Sequence, residues 1–260
     1  MHKLKYLTLS IILVVSISLA GPAFDVFARP LAATSPPLGT AGSFSILAET
    51  TITNIPTSAI AGDVGLSPAT GAGIGLTDAE VAGTIYTVDA AGPAGSVMNP
   101  ALLTQAINDM MSAYTALNAL NQPCTTTYGG VQDLSLVSPL APGVYCAVAF
   151  LLPVNSNLTL VGSGVWIFRP DTTLTANAGS SVTGGEPCNV WWRLGSAADI
   201  FTDASMIGNI LAGTSINMQA RASLNGRALA RTGQVSLDTN TITAPICALG
   251  PTNTPLPASW

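Results

Sequence analysis

Apolar and polar residues alternate in short runs over most of the chain, which is typical of β-strands with one buried side. Two of these runs repeat each other at a spacing of 18 residues, namely ASMIGNILAGT at 204–214 and ASLNGRALART at 222–232. A unit of this length cannot bury an apolar side alone, so neighbouring units must stack on one another. Three short strands and three turns fit one unit. The pattern therefore predicts a β-solenoid whose coils present flat outer faces.

The alternation also orients one strand of successive coils. Val182, Met206, Leu224 and Ile242 are predicted to point inward, and their neighbours outward. On the following strand, Leu211 and Leu229 are expected to point outward, which requires another element to cover them. The outward positions of the first strand are Ser181, Thr183, Ser205, Ile207, Ser223, Asn225, Thr241 and Thr243.

A helix is predicted over residues 100–121. Asn99 is a suitable N-cap, and Pro100 at the first helical position loses no hydrogen bond. One apolar stripe at spacings of three and four residues is expected to pack along a flank of the solenoid. The stripe consists of Leu103, Ile107, Met110, Tyr114 and Leu117.

The remaining segments divide the chain into regions. Residues 1–28 are predicted to be a secretory signal, because a charged start precedes an apolar run shorter than a membrane span. Residues 29–42 are expected to form a flexible leader, 43–249 the solenoid domain, and 250–260 a Pro/Thr-rich tail. The predicted location is extracellular, with no membrane contact after cleavage of the signal.

Charge is sparse once the signal is removed. Cleavage would take away both lysines, the only histidine and Asp25, leaving six arginines, twelve acids and a net charge of about −6. Nucleic-acid binding needs clustered cations and is therefore excluded. Histidine, the commonest general base and metal ligand, is missing as well. No cofactor and no metal site are predicted.

Four cysteines in a secreted chain indicate two disulfides. Three pairings are open, and the absence of a CxxC pair argues against a zinc site. We favour Cys124–Cys146, which would close a local loop, and Cys188–Cys247, which would connect neighbouring coils.

Two other functions deserve comparison. A polysaccharide-cleaving β-helix enzyme would need a carboxylate cluster, for which Asp199 and Asp203 on one strand, near Arg221, are the candidates. A surface ion cluster explains these three residues more simply. A non-catalytic adhesion or matrix module, attached through the Pro/Thr-rich tail, is the stronger alternative.

The chain resembles the microbial ice-binding proteins of the irregular β-solenoid type. The resemblance implies a right-handed, triangular, discontinuous β-solenoid with a long helix beside it, and one flat face that adsorbs to ice. The matching segments follow the family's order and are AGSFSILAETTITN (41–54), GDVGLSP (62–68), VAGTIY (81–86), PGVYC (142–146), VWIF (165–168), CNVWWRLGS (188–196), GNILAGTSI (208–216), NGRALAR (225–231) and VSLDTNTIT (235–243).

The resemblance also implies a site and an activity. In several members a Thr-Ala/Gly-x-Thr/Asn motif marks the ice face, and here Thr202-Asp203-Ala204-Ser205 and Ala220-Arg221-Ala222-Ser223 occupy its place with charged departures. The expected protein is a monomeric, non-catalytic antifreeze protein with an ice crystal surface as its partner, thermal hysteresis and inhibition of ice recrystallisation. The predicted ice-binding residues are Thr202 and the eight outward positions given above.

Overall fold

The computed structural model describes residues 32–118 and 122–247. Within these ranges it contains one α-helix, α1 (Pro100–Ala116), and 21 short strands. The predicted signal peptide and the Pro/Thr-rich tail lie outside the described residues. The strands are β1 (Phe44–Ala48), β2 (Ile52–Ile55), β3 (Ala59–Ala61), β4 (Asp63–Leu66), β5 (Ile85–Thr87), β6 (Val97–Met98), β7 (Thr126–Thr127), β8 (Val131–Asp133), β9 (Gly143–Ala147), β10 (Ala149–Leu152), β11 (Asn157–Leu160), β12 (Trp166–Pro170), β13 (Leu174–Ala176), β14 (Ser181–Gly184), β15 (Val190–Leu194), β16 (Ala198–Ile200), β17 (Ser205–Ala212), β18 (Ile216–Met218), β19 (Ser223–Ala230), β20 (Val235–Asp238) and β21 (Thr241–Thr243).

Successive strands stack into three ladders, so that three strands make one coil of a triangular solenoid. The strands of neighbouring coils pair in parallel. The helix face consists of β1, β4, β5, β6, β7, β9, β12, β15 and the second halves of β17 and β19. The Ser/Thr face consists of β3, β11, β14, β21 and the first halves of β17 and β19, and the third face of β2, β8, β10, β13, β16, β18 and β20.

The coils do not follow chain order. The first coil (β1, β2, β3) pairs with the last (β19, β20, β21). After β6 the chain passes through α1, about 26 Å long at 1.5 Å per residue, to β7 at the opposite end of the larger sheet. From there it winds back toward the first coil. The expectation of a discontinuous solenoid is confirmed.

The 18-residue repeat places equivalent residues one above another. Ser205 pairs with Ser223, and Leu211 with Leu229. Both strands bend at a glycine from the Ser/Thr face to the helix face. Gly208 has a φ of +99°, which a residue with a side chain rarely adopts. A Cβ on Gly226 would overlap the carbonyl oxygen of Gly208. Glycine is therefore required at this corner.

The interior of the solenoid changes composition from coil to coil. Tyr145, Phe168 and Trp192 stack in the wider coils, with ring centroids 5.5 and 4.1 Å apart. In the next two coils the same ladder position holds Ile210 and then Ala228. Side-chain volume therefore follows coil size, which keeps the core packed along its length.

Helix α1 covers the outward apolar residues of the helix face. Leu211 and Leu229 are buried against it, as the sequence pattern required. The Tyr114 hydroxyl donates a hydrogen bond of 2.8 Å to the carbonyl oxygen of Leu194. The guanidinium groups of Arg193 and Arg231 lie 4.2 and 4.7 Å from the Tyr114 ring. These cation–π contacts help hold the helix on the sheet.

The helix begins where the sequence predicted and ends earlier. The Asn99 side chain accepts a hydrogen bond from the Leu102 N–H, and Pro100 opens the helix. The last helical residue is Ala116 rather than residue 121, because the apolar stripe stops at Leu117 and Arg169 donates to the Leu117 carbonyl. Residues 119–121 lie outside the described residues.

The expected flexible leader is wrong for its described part. Residues 32–42 run along the helix face, and Gly39–Ser43 forms a 3₁₀ helix. The Thr40 N–H donates to the Asp109 carboxylate at 2.7 Å, and the Trp191 indole donates to the Ser35 hydroxyl at 2.9 Å. Small residues allow this close packing, since Ala41 is completely buried.

Candidate functional site

The Ser/Thr face carries two parallel rows of outward side chains. Strand pairing brings residues from six coils into register. Coils spaced about 4.8 Å apart make the face roughly 24 Å long. The first row is Asn157, Ser181, Ser205, Ser223, Thr241 and Ala59. The second row, two residues further along each strand, is Thr159, Thr183, Ile207, Asn225, Thr243 and Ala61.

Eight of the nine predicted site residues lie in these rows, so the structure brings them onto one surface. Thr202 does not belong to either row. It lies in the turn three residues before Ser205, where its carbonyl oxygen accepts from the Gly179 N–H. The sequence analysis missed Asn157, Thr159, Ala59 and Ala61. The first two lie 24 residues before their partners rather than 18, and the alanines come from the coil that is out of chain order.

The residues beneath the face form a rigid apolar support. Val182, Met206, Leu224 and Ile242 are each at most 2% exposed. They alternate with the outward residues, which confirms the predicted orientation of these strands. Because the core is closely packed, the outer side chains are held at fixed spacings.

The hydroxyl groups at the two parts of the face have different partners. Near the wide end, the Asn157 side-chain oxygen accepts from Ser181 at 2.8 Å and from Thr183 at 3.2 Å, while its amide donates to Thr159. In the centre, no side-chain hydrogen bond joins Ser223 or Thr241 to another described residue. These central hydroxyls are free to bind water.

The two rows contain no ionisable side chain. The nearest charges are Asp203 and Arg221 in the adjoining turns. The Arg221 Nε and Nη2 atoms donate to the two Asp203 oxygens, each at 2.8 Å. This hydrogen bonding lowers the pKa of Asp203 and raises that of Arg221. Arg227, whose position was open from sequence, is buried beneath the helix face.

The third face differs in chemistry. Its outward ladder includes the Asp199 carboxylate, which accepts from the Asn217 amide at 2.8 Å, and Asn217 in turn accepts from the Ser236 hydroxyl at 3.1 Å. A shallow, open groove of about 270 Å³ lies beside Ser236 and Thr53. Compared with the Ser/Thr face, this surface is charged and uneven.

The arrangement proposed for a polysaccharide-cleaving site does not form. Asp199 lies in β16 on the third face and hydrogen bonds to Asn217, whereas Asp203 lies in the following turn and pairs with Arg221. The two carboxylates therefore belong to different surfaces instead of one strand. Their separate partners fit the simpler explanation, a surface ion pair. Among the described residues, no group of three or more His, Cys, Asp or Glu side chains could hold a metal.

Both favoured disulfides are present. Cys124 and Cys146 are joined next to the helix face. Cys188 and Cys247 join the loop after β14 to the segment after β21. The second bond closes a loop across several coils and fixes the edge of the Ser/Thr face opposite Asp203. A search of the described residues finds no helix that is both long and apolar enough to span a membrane.

A solenoid with a regular, uncharged and rigid face defines a class of surface-binding protein. Residues 46–243 match the Ice-binding-like family, and the chain belongs to this family. An ice-binding protein of Flavobacterium frigoris is 40% identical over 218 residues, which cover 80% of this chain and 76% of that protein. An ice-binding protein of a Colwellia species is 37% identical over 85% of this chain and 89% of its own length.

Solved structures agree with this assignment. The crystal structure of an ice-binding protein from an Arctic yeast superimposes with a TM-score of 0.71 at 27% identity, covering 85% of this chain and 97% of that chain. The DUF3494 domain of Shewanella frigidimarina ice-binding protein 1 gives a TM-score of 0.71 at 28% identity, covering 83% and 100%.

Proposed function

We propose that this protein is a secreted, non-catalytic antifreeze protein that binds ice through the Ser/Thr face. The observation that carries the proposal is the double row of uncharged side chains held in register over six coils in a member of the Ice-binding-like family. Eight of the nine residues predicted from the sequence lie in these rows, and Thr202 lies at their edge.

The geometry suits adsorption to a lattice. The rung spacing of about 4.7–4.9 Å is close to repeat distances in ice. Small hydroxyl and methyl groups can order a layer of water, whereas ionic side chains would hold their own hydration shells. Many weak contacts made together by a rigid face slow dissociation, as in multivalent binding. Adsorbed molecules then curve the ice front between them, which stops growth and gives thermal hysteresis and inhibition of recrystallisation.

The alternative of an adhesion or matrix module finds less support. A glycan-binding surface is expected to show exposed aromatic side chains. Across residues 32–118 and 122–247, every aromatic side chain is buried or half-buried. The acids of the third face are hydrogen bonded within the ladder. Secretion is supported by the signal-like residues 1–28 and by two disulfides, which are typical of oxidising compartments.

Thermal hysteresis of the oxidised chain without residues 1–28 tests the proposal. A single ice crystal is held in a nanolitre volume of protein solution while the temperature is lowered. A freezing gap with a faceted crystal is the expected result, together with a monomeric mass by light scattering. A round crystal with no gap, from protein shown to be folded by circular dichroism, would contradict ice binding and favour the adhesion module.

A further inference from the structure

The turn between the third face and the Ser/Thr face has the same backbone conformation in five consecutive coils. Each turn contains one residue with a φ between 51° and 66°. The N–H of each of these residues donates to a carbonyl of the next coil. The residues form a ladder that borders the Ser/Thr face along its length. They are Asn155, Gly179, Asp203, Arg221 and Thr239.

The two central members of this ladder are charged. Left-handed backbone favours Gly and Asn, and Asn155 and Gly179 follow that preference. Arg221 does not, so local conformation alone does not explain its presence. The side chains of Arg221 and Asp203 are 62% and 53% exposed. They are therefore paired with each other and hydrated at the same time.

We propose that the Asp203–Arg221 ion pair limits the ice-binding face at this border and thereby lowers the affinity for ice. This inference rests on the proposed function. Charged groups do not fit into the ice lattice, because each holds water in its own shell. The pair lies two residues before Ser205 and Ser223, the central members of the first row. Ordered water over the face must end there instead of continuing around the corner to Thr202 and Thr239.

The pair is not needed to hold the two coils together. Eight consecutive residue pairs already join β17 to β19. Exposed ion pairs contribute little to stability, since both side chains lose entropy and remain screened by water. Neutral replacements should consequently fold as the natural chain does. The effect of the pair on ice binding can then be separated from any effect on folding.

Two double variants provide a matched test. Asp203→Asn with Arg221→Gln removes both charges and keeps the side-chain sizes. Asp203→Arg with Arg221→Asp keeps both charges and exchanges their positions. We expect thermal hysteresis of the neutral variant to rise roughly twofold at equal concentration, because more weak contacts act together. The exchanged variant should match the natural chain. All three should share one melting temperature within about 2 °C.

The outcomes are distinct. A natural chain without hysteresis overturns both the proposed function and this inference. If the natural chain is active, a neutral variant with equal or lower hysteresis overturns the inference alone. An increase in both variants overturns the role of charge, because the exchanged variant still carries both ions.

Discussion

Individual side chains on the Ser/Thr face should control activity without affecting folding. Ser223→Tyr and Thr241→Tyr each place a bulky ring above the flat rows, so the face no longer matches a lattice. We expect each to abolish thermal hysteresis, because contacts on both sides of the ring are lost together. The melting temperature should hardly change, since both side chains point into solvent.

The matched control for these variants is Thr53→Tyr. Thr53 is exposed on the third face and pairs with Ser236, so its ring perturbs the rival surface to a similar extent. Full activity of Thr53→Tyr together with inactive Thr241→Tyr supports the Ser/Thr face. The opposite pattern would assign ice binding to the third face.

The candidate site was largely readable from the sequence at this scale. Strict alternation set the orientation of Ser205, Ser223 and Thr241, because one-residue slips would bury hydroxyls in the core. Asn157 was not recognised, since six extra residues separate its coil from the 18-residue pattern. Ala59 was not recognised either, because its neighbour Thr241 is about 180 residues away in the chain.

Arg227 is a buried cation without a carboxylate partner among the described residues. Its side chain is 4% exposed. It donates to the Gly42 and Pro245 carbonyls at 2.7 and 2.9 Å and to the Asn209 side chain at 2.9 Å. Burial lowers the pKa of Arg227. This one guanidinium therefore connects the leader, the segment after β21 and the central coil.

Replacing Arg227 by Met should destabilise the fold. The change leaves the Gly42 and Pro245 carbonyls without their donor, although it also removes the cost of burying a charge. We expect the free energy of unfolding in urea to fall by about 2 kcal/mol. Arg221→Met, at an exposed position, is the control and should change little. A variant as stable as the natural chain would show that the burial cost equals the gain from the hydrogen bonds.

At the scale of elements, the corner glycines should decide whether coils can stack. A Cβ on Gly226 overlaps the Gly208 carbonyl oxygen, which is backbone and cannot move aside without shifting β17. We expect Gly226→Ala to lower the melting temperature by about 10 °C. Gly129→Ala is the matched control, because a Cβ there has no neighbour within 4 Å. Equal melting temperatures for the two variants would contradict the requirement for glycine.

The elements themselves could be predicted to different degrees. The start of α1 is encoded locally by Asn99 and Pro100, and the structure confirms it. Its end depends on the contact between Leu117 and Arg169, 52 residues apart, which no local pattern records. The packing of the leader is likewise tertiary, because Ala41 and Pro36 are buried only when α1 and the helix face are in place.

For the molecule as a whole, pH should affect stability only in acid. Once residues 1–28 are removed, the chain has no His and no Lys, and the four cysteines are in disulfides. No side chain with an ordinary pKa between about 6 and 9 then remains. Because the two rows of the Ser/Thr face are uncharged, thermal hysteresis should also be constant over this range.

The acid limit should be set by carboxylates that accept hydrogen bonds in the folded state. Burial tends to raise the pKa of Glu80, but bonds from the Ser58 and Thr77 N–H groups and from the Thr77 and Asn54 side chains lower it below 4.5. The pKa of Asp109 is lowered in the same way, with burial again opposing hydrogen bonds from Thr40 and Gln105. A depressed folded pKa stabilises the protein above the unfolded value, and this contribution is lost as pH falls through the folded value. Glu49 acts in the opposite sense, since burial raises its pKa.

We therefore expect a constant free energy of unfolding from about pH 6 to 9 and a decline below pH 4.5, the ordinary value for Glu80. Glu80→Gln should lower stability at pH 7, because an amide presents donors to groups that are themselves donors, and it should flatten the acid decline. Urea unfolding at several pH values measures both effects. An acid decline as steep in Glu80→Gln as in the natural chain would show that other carboxylates, Asp109 foremost, determine the acid limit. Since the Ser/Thr face contains none of these groups, hysteresis should fall only when the folded population falls.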